Sequence, residues 1–578
     1  MKSQKNSSGR SQSQSNSQTN TNTSPQNLIK KINEFYLCTD GVYKNKSQSL
    51  IKICGYLDVK ALCRDGESSD WKKLIEFKDV DGFTHQQQIS EAVFLGQHKD
   101  ILGPLVKDGL QVINSVDTVN YIKTVTPQDR VRIVYKIGWH TFNSLDYFVL
   151  PDGQIPHNAL EHIILDPSVT APTIGCKGTL KEWQDHIAKP AVSSSRSILS
   201  ICAAFAAPLV SLGHRANAGF HLRGNSSSGK SVAQAIGCSV IGSPNYKQSW
   251  KSTANGLEGI SLAYNDLMLP LDEISQADPT SVCTSIYDLM NGKQKIRANK
   301  SGLVSKTILN WFLLVLSSGE ESLRDIAMKQ GRRVKAGEEI RLADIPADAG
   351  NELGVNEFLP KGFTSIQDYG TTMKNAVHQY YGTAFQAWLT LLAGYKHDDI
   401  PTDLAAEINT FVTEVAPKGT SQVKRVAESF GLLAVAGELA SEHDITGWAK
   451  GVAWKGVKTC FEAWHREFGD GLPKEEQEII NRALNVLTKN QSCFIDLQRE
   501  QVPDVHIGWI DSSKSGNQEF YVYRQAYVEH FCMGKSSRLV DQILKKAGIL
   551  LEVGMSINPR SRNKDTVKVR KMIIPAEK

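Results

Sequence analysis

The sequence predicts an α/β fold built around a parallel sheet with helices on both faces, and three stretches carry that prediction. The first is Gly224-Asn225-Ser226-Ser227-Ser228-Gly229-Lys230-Ser231. A short strand over 218–223 precedes it, and the first turns of a helix over 231–237 follow. The second is Leu267-Met-Leu-Pro-Leu271, an apolar buried strand that runs into Asp272-Glu273. The third is Trp311-Phe-Leu-Leu-Val-Leu316, continuously apolar as a parallel strand covered on both faces should be, and ending in Ser317-Ser318-Gly319-Glu320.

The first stretch fits the phosphate-binding pattern G-x-x-x-x-G-K-[ST] at every required position. Small residues let successive backbone N–H groups curl around a β-phosphate, and Lys230 reaches the β and γ oxygens. Ser231 is placed to ligate Mg²⁺, and the helix that follows points its positive end at the phosphates. Residues 224–231 are therefore the expected nucleotide cradle, with ATP and Mg²⁺ as expected cofactors. In the second stretch, Asp272 would support the metal beside Ser231, and Glu273 would orient and activate the attacking water. That pairing favours hydrolysis over transfer to a bound acceptor. Pro270 is awkward in a central strand because it removes a ladder donor. At the tip of the third stretch, Ser317 or Ser318 would touch the γ-phosphate or the water. The order of the three stretches implies an ATPase core.

Several further strings bear a family likeness. They are Trp250-Lys-Ser-Thr-Ala-Asn-Gly-Leu-Glu-Gly259, Leu271-Asp-Glu-Ile274, Tyr287-Asp-Leu-Met-Asn-Gly292 and Leu316-Ser-Ser-Gly-Glu320. Ala336-Gly-Glu-Glu-Ile-Arg-Leu-Ala-Asp-Ile-Pro346, Arg425-Val-Ala-Glu-Ser-Phe430 and Ala436-Gly-Glu-Leu-Ala440 complete the set. In these the chain resembles the DUF927 family, helicase-like proteins of phages, plasmids and cassette elements related to MCM-type AAA+ helicases. The likeness covers most of residues 35 to about 464. It implies an AAA+ P-loop ATPase acting as a replication helicase of a mobile element. No primase-type module is legible beside it.

Composition agrees with a large enzyme. The chain has 578 residues, a prior for three or four domains, and 40% hydrophobic residues suffice for real cores. Net charge is only +5, so any nucleic-acid contact must rest on local patches. Ten cysteines are scattered singly with no C-x-x-C pair, which argues against a zinc site or disulfide framework and for a reducing cytoplasm. No apolar run approaches the ~18 residues of a membrane span, so no membrane partner is expected. The longest, 198–212, is interrupted by Pro208 and reads as a buried helix leading into the ATPase sheet. The polar N-terminus lacks the apolar region of a secretory signal.

Six segments follow in order. Residues 1–26 are a Ser/Asn/Gln/Thr-rich tail that cannot bury enough apolar surface to fold. Residues 27–166 form an α+β domain of short strands punctuated by Asp-Gly turns at 40–41, 81–82 and 152–153. Its aromatic Trp71, Trp139 and Phe148 read as core or as base-stacking platforms, with core the better prior. Residues 167–178 are a linker, 179–370 the ATPase domain, and 371–471 a helical lid region. Residues 472–578 have a winged-helix flavour, with helices at 475–488 and 537–546, strands at 519–523 and 566–574, and a basic wing at 559–564. Such a wing binds DNA or packs on a neighbouring domain, and both readings stand.

Two cationic features complete the expected site. Lys293, Lys295 and Arg297 alternate between Gly292 and Gly302, where related helicases insert a hairpin into the central pore of a ring, and would meet successive phosphates of single-stranded DNA. A completing arginine from a neighbouring subunit is expected at Arg341, with Arg332, Arg333 and Arg425 as rivals. The resulting expectation is a ring, a hexamer, that moves on single-stranded or forked DNA with other replication proteins. The alternatives are an AAA+ loader or remodeller, or a nucleotide-driven defence switch, neither of which unwinds DNA.

Overall fold

The computed structural model describes residues 27–47, 49–66, 68–157, 161–294, 309–331, 336–468, 474–489, 491–497, 506–511, 518–559 and 566–574. The chain forms two compact units, residues 1–135 with 152–169 and residues 136–151 with 170–578.

The first unit is built on two sheets. Leu28–Ile32, Phe35–Cys38, Gly41–Lys46 and Ser49–Cys54 form an antiparallel meander. A mixed sheet has the order His162–Leu165, Arg130–Val134, Leu57–Arg64, Lys72–Lys78, Thr84–Ser90. Leu57–Arg64 buries every second residue, the signature of a strand with one covered face. The buried side of both sheets and the helices His98–Lys107 and Ser115–Thr124 share a core of Phe35, Leu57, Phe77, Ile101 and Tyr121. Trp71 departs from the core reading: it is 38% exposed, with the Arg64 guanidinium over its ring.

The second unit holds a five-stranded sheet made of β1 (Ala218–Arg223), β2 (Gln248–Ser249), β3 (Leu267–Asp272), β4 (Leu313–Gly319) and β5 (Leu342–Pro346). Every pairing is parallel, and the order is β2-β3-β4-β1-β5. All seven residues of β4 are buried, because helices cover both faces. Pro270 sits in β3 beside β2, which pairs only with Leu271 and Asp272, so it has no ladder partner to lose on that flank.

The covering helices are α1 (Ser195–Ala206), α2 (Lys230–Ile241), α3 (Ala254–Ala263), α4 (Val282–Asn291), α5 (Ser421–Glu442) and α6 (Val452–Phe468). Every residue of α1 is buried. Glycines let α5 and α6 approach it closely: a Cβ at Gly437 would lie 2.4 Å from Cys202 Sγ, and one at Gly456 2.7 Å from Ile198. Phe430 of α5 stacks edge-on against Phe220 of β1 at 5.0 Å and against Phe461 of α6 at 5.5 Å. The helical region is thus packed onto the sheet through a shared aromatic core.

A hairpin, Gly138–Phe142 with Leu145–Leu150, docks beside the start of β3. The buried Asp266 carboxylate accepts the Trp139 backbone N–H at 3.0 Å, and the Ser211 hydroxyl and the Asn265 amide also donate to it. Trp139 donates its indole N–H to the Pro208 carbonyl at 3.0 Å and meets Phe148 edge-on at 5.0 Å.

At the C-terminus a sheet has the order Phe494–Asp496, Gly508–Asp511, Glu519–Tyr523, Val567–Ile573, Leu550–Ile557. The helices α7 (Lys474–Lys489) and α8 (Ser537–Lys546) and the helical segment 524–532 pack with it around Phe520, Tyr527, Val540 and Leu544. Leu550–Ile557 was not legible in sequence. It is an edge strand with two irregularities, exposed on both faces, so it carries no two-residue hydrophobic period. The expected wing at 559–564 lies between two antiparallel strands, and all of it but Pro559 falls outside the described residues. Among the described residues no helix is long and apolar enough to cross a membrane.

Candidate active site

The sheet delivers its polar residues to one edge. In a parallel sheet all strands end on the same side, so the loop after β1, the acids after β3 and the serines closing β4 converge there. Register sharpens this: Ser317 lies level with His221 and Leu271, and Ser318 with Leu222.

The loop of residues 224–229 leads directly into α2. Gly229 caps the helix at φ +91°, and Ser227 also lies in the left-handed region at φ +65°. Asn225, Ser226 and Ser227 are exposed, as is Ser231 in the first helical turn. A segment the sequence did not flag buttresses the loop from above. After β5, the Ala347 N–H donates to the Arg223 carbonyl at 2.6 Å, and the Val355 N–H donates to the Ser228 carbonyl at 2.9 Å. Gly354 is required here, since a Cβ would fall 2.3 Å from the Ser228 carbonyl oxygen. The buttress is itself tied to α1: the Ser194 hydroxyl donates to the Val355 carbonyl at 2.6 Å, and Glu357 accepts from Ser195 N–H at 2.8 Å and Arg196 at 3.0 Å. Its only sequence signal was the glycine spacing of Gly350 and Gly354.

Lys230 is buried, and its ammonium donates to the carbonyls of Gly224 at 2.5 Å and Asn225 at 2.8 Å. Burial pulls its pKa down, against the carboxylates of Glu273, Glu320 and Asp272, whose field reaches it. Asp272 is gripped on both oxygens. Oδ2 pairs with the Lys247 ammonium at 2.5 Å, and Oδ1 accepts the Ser318 hydroxyl at 2.6 Å. Burial alone would raise its pKa, but the Lys247 and Ser318 contacts outweigh burial and hold it below the usual carboxylate range. Lys247 was missed by sequence reasoning, because a lone lysine before a two-residue edge strand carries no pattern.

Glu273 adopts φ +56°, ψ +81°, an uncommon backbone for a non-glycine residue. Its N–H points at the Ser318 hydroxyl at 3.4 Å, and its carboxylate accepts the Ser275 hydroxyl at 2.6 Å. The two serines of β4 therefore divide. Ser318 lies with the acids, whereas Ser317 faces the sheet interior. There the Trp250 indole N–H donates to Ser317 Oγ at 2.9 Å, and Ser317 lies 2.8 Å from His221 Nδ1. His221 Nε2 is 3.0 Å from the Glu321 carbonyl, which can only accept, so Nε2 carries the proton and Nδ1 accepts from Ser317. Complete burial pushes the pKa of His221 down to about 4, consistent with a neutral ring.

The remaining expected residues lie apart. Arg341 precedes β5, at the opposite end of the sheet from the loop. Its guanidinium sits 4.3 Å over the Tyr287 ring and donates to the Gly337 carbonyl at 2.5 Å. Arg425 is exposed on α5, and Arg332 and Arg333 lie outside the described residues. Lys293 is exposed and bridges antiparallel to Asn310, with the Gln294 N–H donating to the Leu309 carbonyl at 2.9 Å. Residues 293–294 thus run antiparallel to 309–310, and Lys295 and Arg297 lie outside the described residues. Elsewhere, a cavity of about 490 Å³ lies among the helices, lined by Leu209, Tyr395, Leu404, Val435 and Trp454.

The donor set suits a phosphate-bound Mg²⁺ and not a metal caged by protein. No group of three His, Cys, Asp or Glu is placed to hold a metal among the described residues. Mg²⁺ in nucleotide sites takes one or two carboxylates, a hydroxyl and phosphate oxygens, which Asp272 and Ser231 match.

Comparison with known proteins bears on the fold. Residues 35–309 match the model of DUF927, a domain of unknown function. The chain is similar to the solved structure "SCCmec type IV Cch - active helicase", with 17% identity and a TM-score of 0.67 over 94% of this chain and 98% of that one. At that identity the likeness shows a shared fold. The apo C-terminal region of NrS-1 matches at 11% identity over 70% of this chain and 90% of that one, with a TM-score of 0.22 too low to bear on the fold. No curated protein matches the chain.

Proposed function

We propose that the chain is an ATP-dependent DNA helicase or translocase of a mobile genetic element, with the parallel sheet of its second unit as an AAA+ P-loop core. The observation that carries this reading is the meeting of loop 224–231 with Asp272, Glu273 and Ser318 at one sheet edge. The strand order β2-β3-β4-β1-β5 is the order AAA+ cores use, and the fold-level neighbour is named an active helicase.

The roles follow from position. The loop N–H groups and Lys230 would hold the β- and γ-phosphates. Ser231 and Asp272 would hold Mg²⁺, which when bound neutralises phosphate charge. Glu273 would take a proton from the attacking water as the bond between the γ-phosphorus and the bridging oxygen breaks. Ser318 holds the Asp272 carboxylate beside it. Arg341 precedes β5 and is remote from its own loop, so it is suited to complete the site of an adjacent subunit in a ring, for which we propose six copies. Lys293, with Lys295 and Arg297 after it, would contact single-stranded DNA. Residues 472–578 serve as a winged-helix-like domain.

Hydrolysis of ATP with and without single-stranded DNA tests this reading, using wild type, Glu273→Gln and the double variant Lys293→Ala/Lys295→Ala. The expected outcome is several-fold stimulation of wild type, ATP binding without turnover in Glu273→Gln, and loss of stimulation alone in the double variant. Hydrolysis indifferent to DNA would assign the motor to a protein-remodelling or signalling machine.

A further inference from the structure

We propose that the cavity among the helices of the second unit binds an aliphatic polyamine, at a site separate from the ATP edge. Its volume of about 490 Å³ is that of a site for one small molecule. The walls come from the helix Ile400–Val415, from α5 and from the start of α6, and they are of two kinds. Leu404 and Val435 are buried and form an apolar floor, with Trp454 beside them. Asp403, Glu407, Glu438 and Glu442 bring carboxylates to the same cavity, against the single cation Lys450.

These carboxylates differ in what they already hold. Glu438 accepts the backbone N–H groups of Gly451 and Trp454, each at 2.8 Å, and so fixes Trp454 in the wall. Glu442 meets Lys450 at 3.4 Å, but that lysine is 84% exposed, and water screens such a pair heavily. Asp403 and Glu407 are exposed at the mouth and have no side-chain partner among the described residues. They stand one turn apart, with Cβ atoms about 5–6 Å from each other, where like charges repel. Two ammoniums joined by a short methylene chain span that distance and remove the repulsion. The methylenes would lie on Leu404, between the two acids in sequence, and a further ammonium would meet Glu442 or the face of Trp454. The indole N–H of Trp454 is already given to Glu414 at 2.8 Å, so this ring asks no polar group of a ligand.

Other occupants fit less well. A divalent metal asks for several converging oxygens, and among the described residues no three His, Cys, Asp or Glu are placed to hold one. Nucleotides and nucleic acids carry the wrong sign. A neutral apolar molecule would cover two carboxylates without supplying a counter-charge. A basic protein segment brings ammoniums, but its peptide groups would lack hydrogen-bond partners on the apolar floor.

This inference does not rest on the ATPase reading, since an amine binds here without nucleotide. Calorimetric titration of the full chain with spermidine, without nucleotide or DNA, tests it. Wild type should show one saturable site. Asp403→Asn/Glu407→Gln should weaken binding at least ~10-fold, and Trp454→Leu roughly threefold or more. Glu552→Gln, a change at an exposed acid elsewhere, should leave binding unchanged. Basal ATP hydrolysis of the double variant should stay at the wild-type level. No saturable heat in wild type, undiminished affinity in the double variant, or an equal loss in Glu552→Gln would each overturn the proposal. So would tighter binding of a neutral aliphatic diol of the same length, or of an oligolysine peptide that displaces spermidine. Absence of ATP hydrolysis with spermidine binding intact would instead count against the ATPase reading alone.

Discussion

Asp272 meets Lys247 on one carboxylate oxygen and Ser318 on the other, so a tethered cation already occupies the charge that a metal ion would seek. Lys247→Met should therefore lower the Mg²⁺ needed for half-maximal hydrolysis by roughly three- to tenfold, as removal of a part-exposed ion pair of about 1 kcal/mol implies. A Mg²⁺ titration of initial rates measures this, and an unchanged or higher requirement would refute it. His221 makes a second prediction at this scale. Its folded pKa lies at about 4, below the ordinary 6.5, so the neutral ring belongs to the folded state. Between those values the unfolded chain takes up a proton that the folded chain refuses. Stability is then complete above pH 6.5 and declines as pH falls towards 4, by up to ~3 kcal/mol. Urea unfolding at pH 7 and pH 5 should show a smaller acid loss in His221→Gln than in wild type. The place of Lys230 at the head of α2 was readable from spacing alone. The split between Ser317 and Ser318 was not, because neighbouring residues of a strand point to opposite faces and only the packed neighbours say which face is the site.

Elements were legible where both faces are buried. β3, β4 and α1 announce themselves as apolar runs because nothing polar is tolerated on either side. The hairpin Gly138–Phe142 with Leu145–Leu150 shows the converse. Read along the chain, it belongs with the N-terminal strands; by contact, it is part of the second unit. Its anchor is Asp266, a side chain far away in sequence. Asp266→Ala would leave the Trp139 N–H and the Ser211 hydroxyl without their acceptor, at a cost of about 1–3 kcal/mol. Faster hydrogen exchange of the amides in 138–150 is the expected result, and unaltered protection would show that the anchor lies elsewhere. The Leu550–Ile557 edge strand escaped notice for a related reason: exposure on both faces erases the period that marks a strand.

For the whole molecule, the placement of Arg341 before β5 makes a claim about assembly. If the ATP site is shared between subunits, Arg341→Ala and Glu273→Gln should each hydrolyse ATP at least ~10³-fold more slowly than wild type. Mixed in equal amounts before assembly, the two inactive proteins should recover roughly a quarter of wild-type turnover, since random neighbours rebuild that share of intact sites in a closed ring. No recovery on mixing would place Arg341 in a structural role over Tyr287. Binding of a labelled ATP analogue by Arg341→Ala, unchanged within a few-fold, separates this outcome from misfolding.

By itself the sequence determined the strand–loop–helix of residues 218–241, the acids of β3, the polar tip of β4 and the parallel sheet that unites them. Each depends on local spacing and on hydrophobic period, which are properties of the chain. Tertiary structure decided the rest: Lys247 on Asp272, the Gly354 buttress over Ser228, the neutral His221 behind Ser317, and the hairpin hung on Asp266. Those contacts join residues that share no period and no motif. They exist because strand order and register bring distant side chains within hydrogen-bond reach, where burial makes an unmet polar group costly.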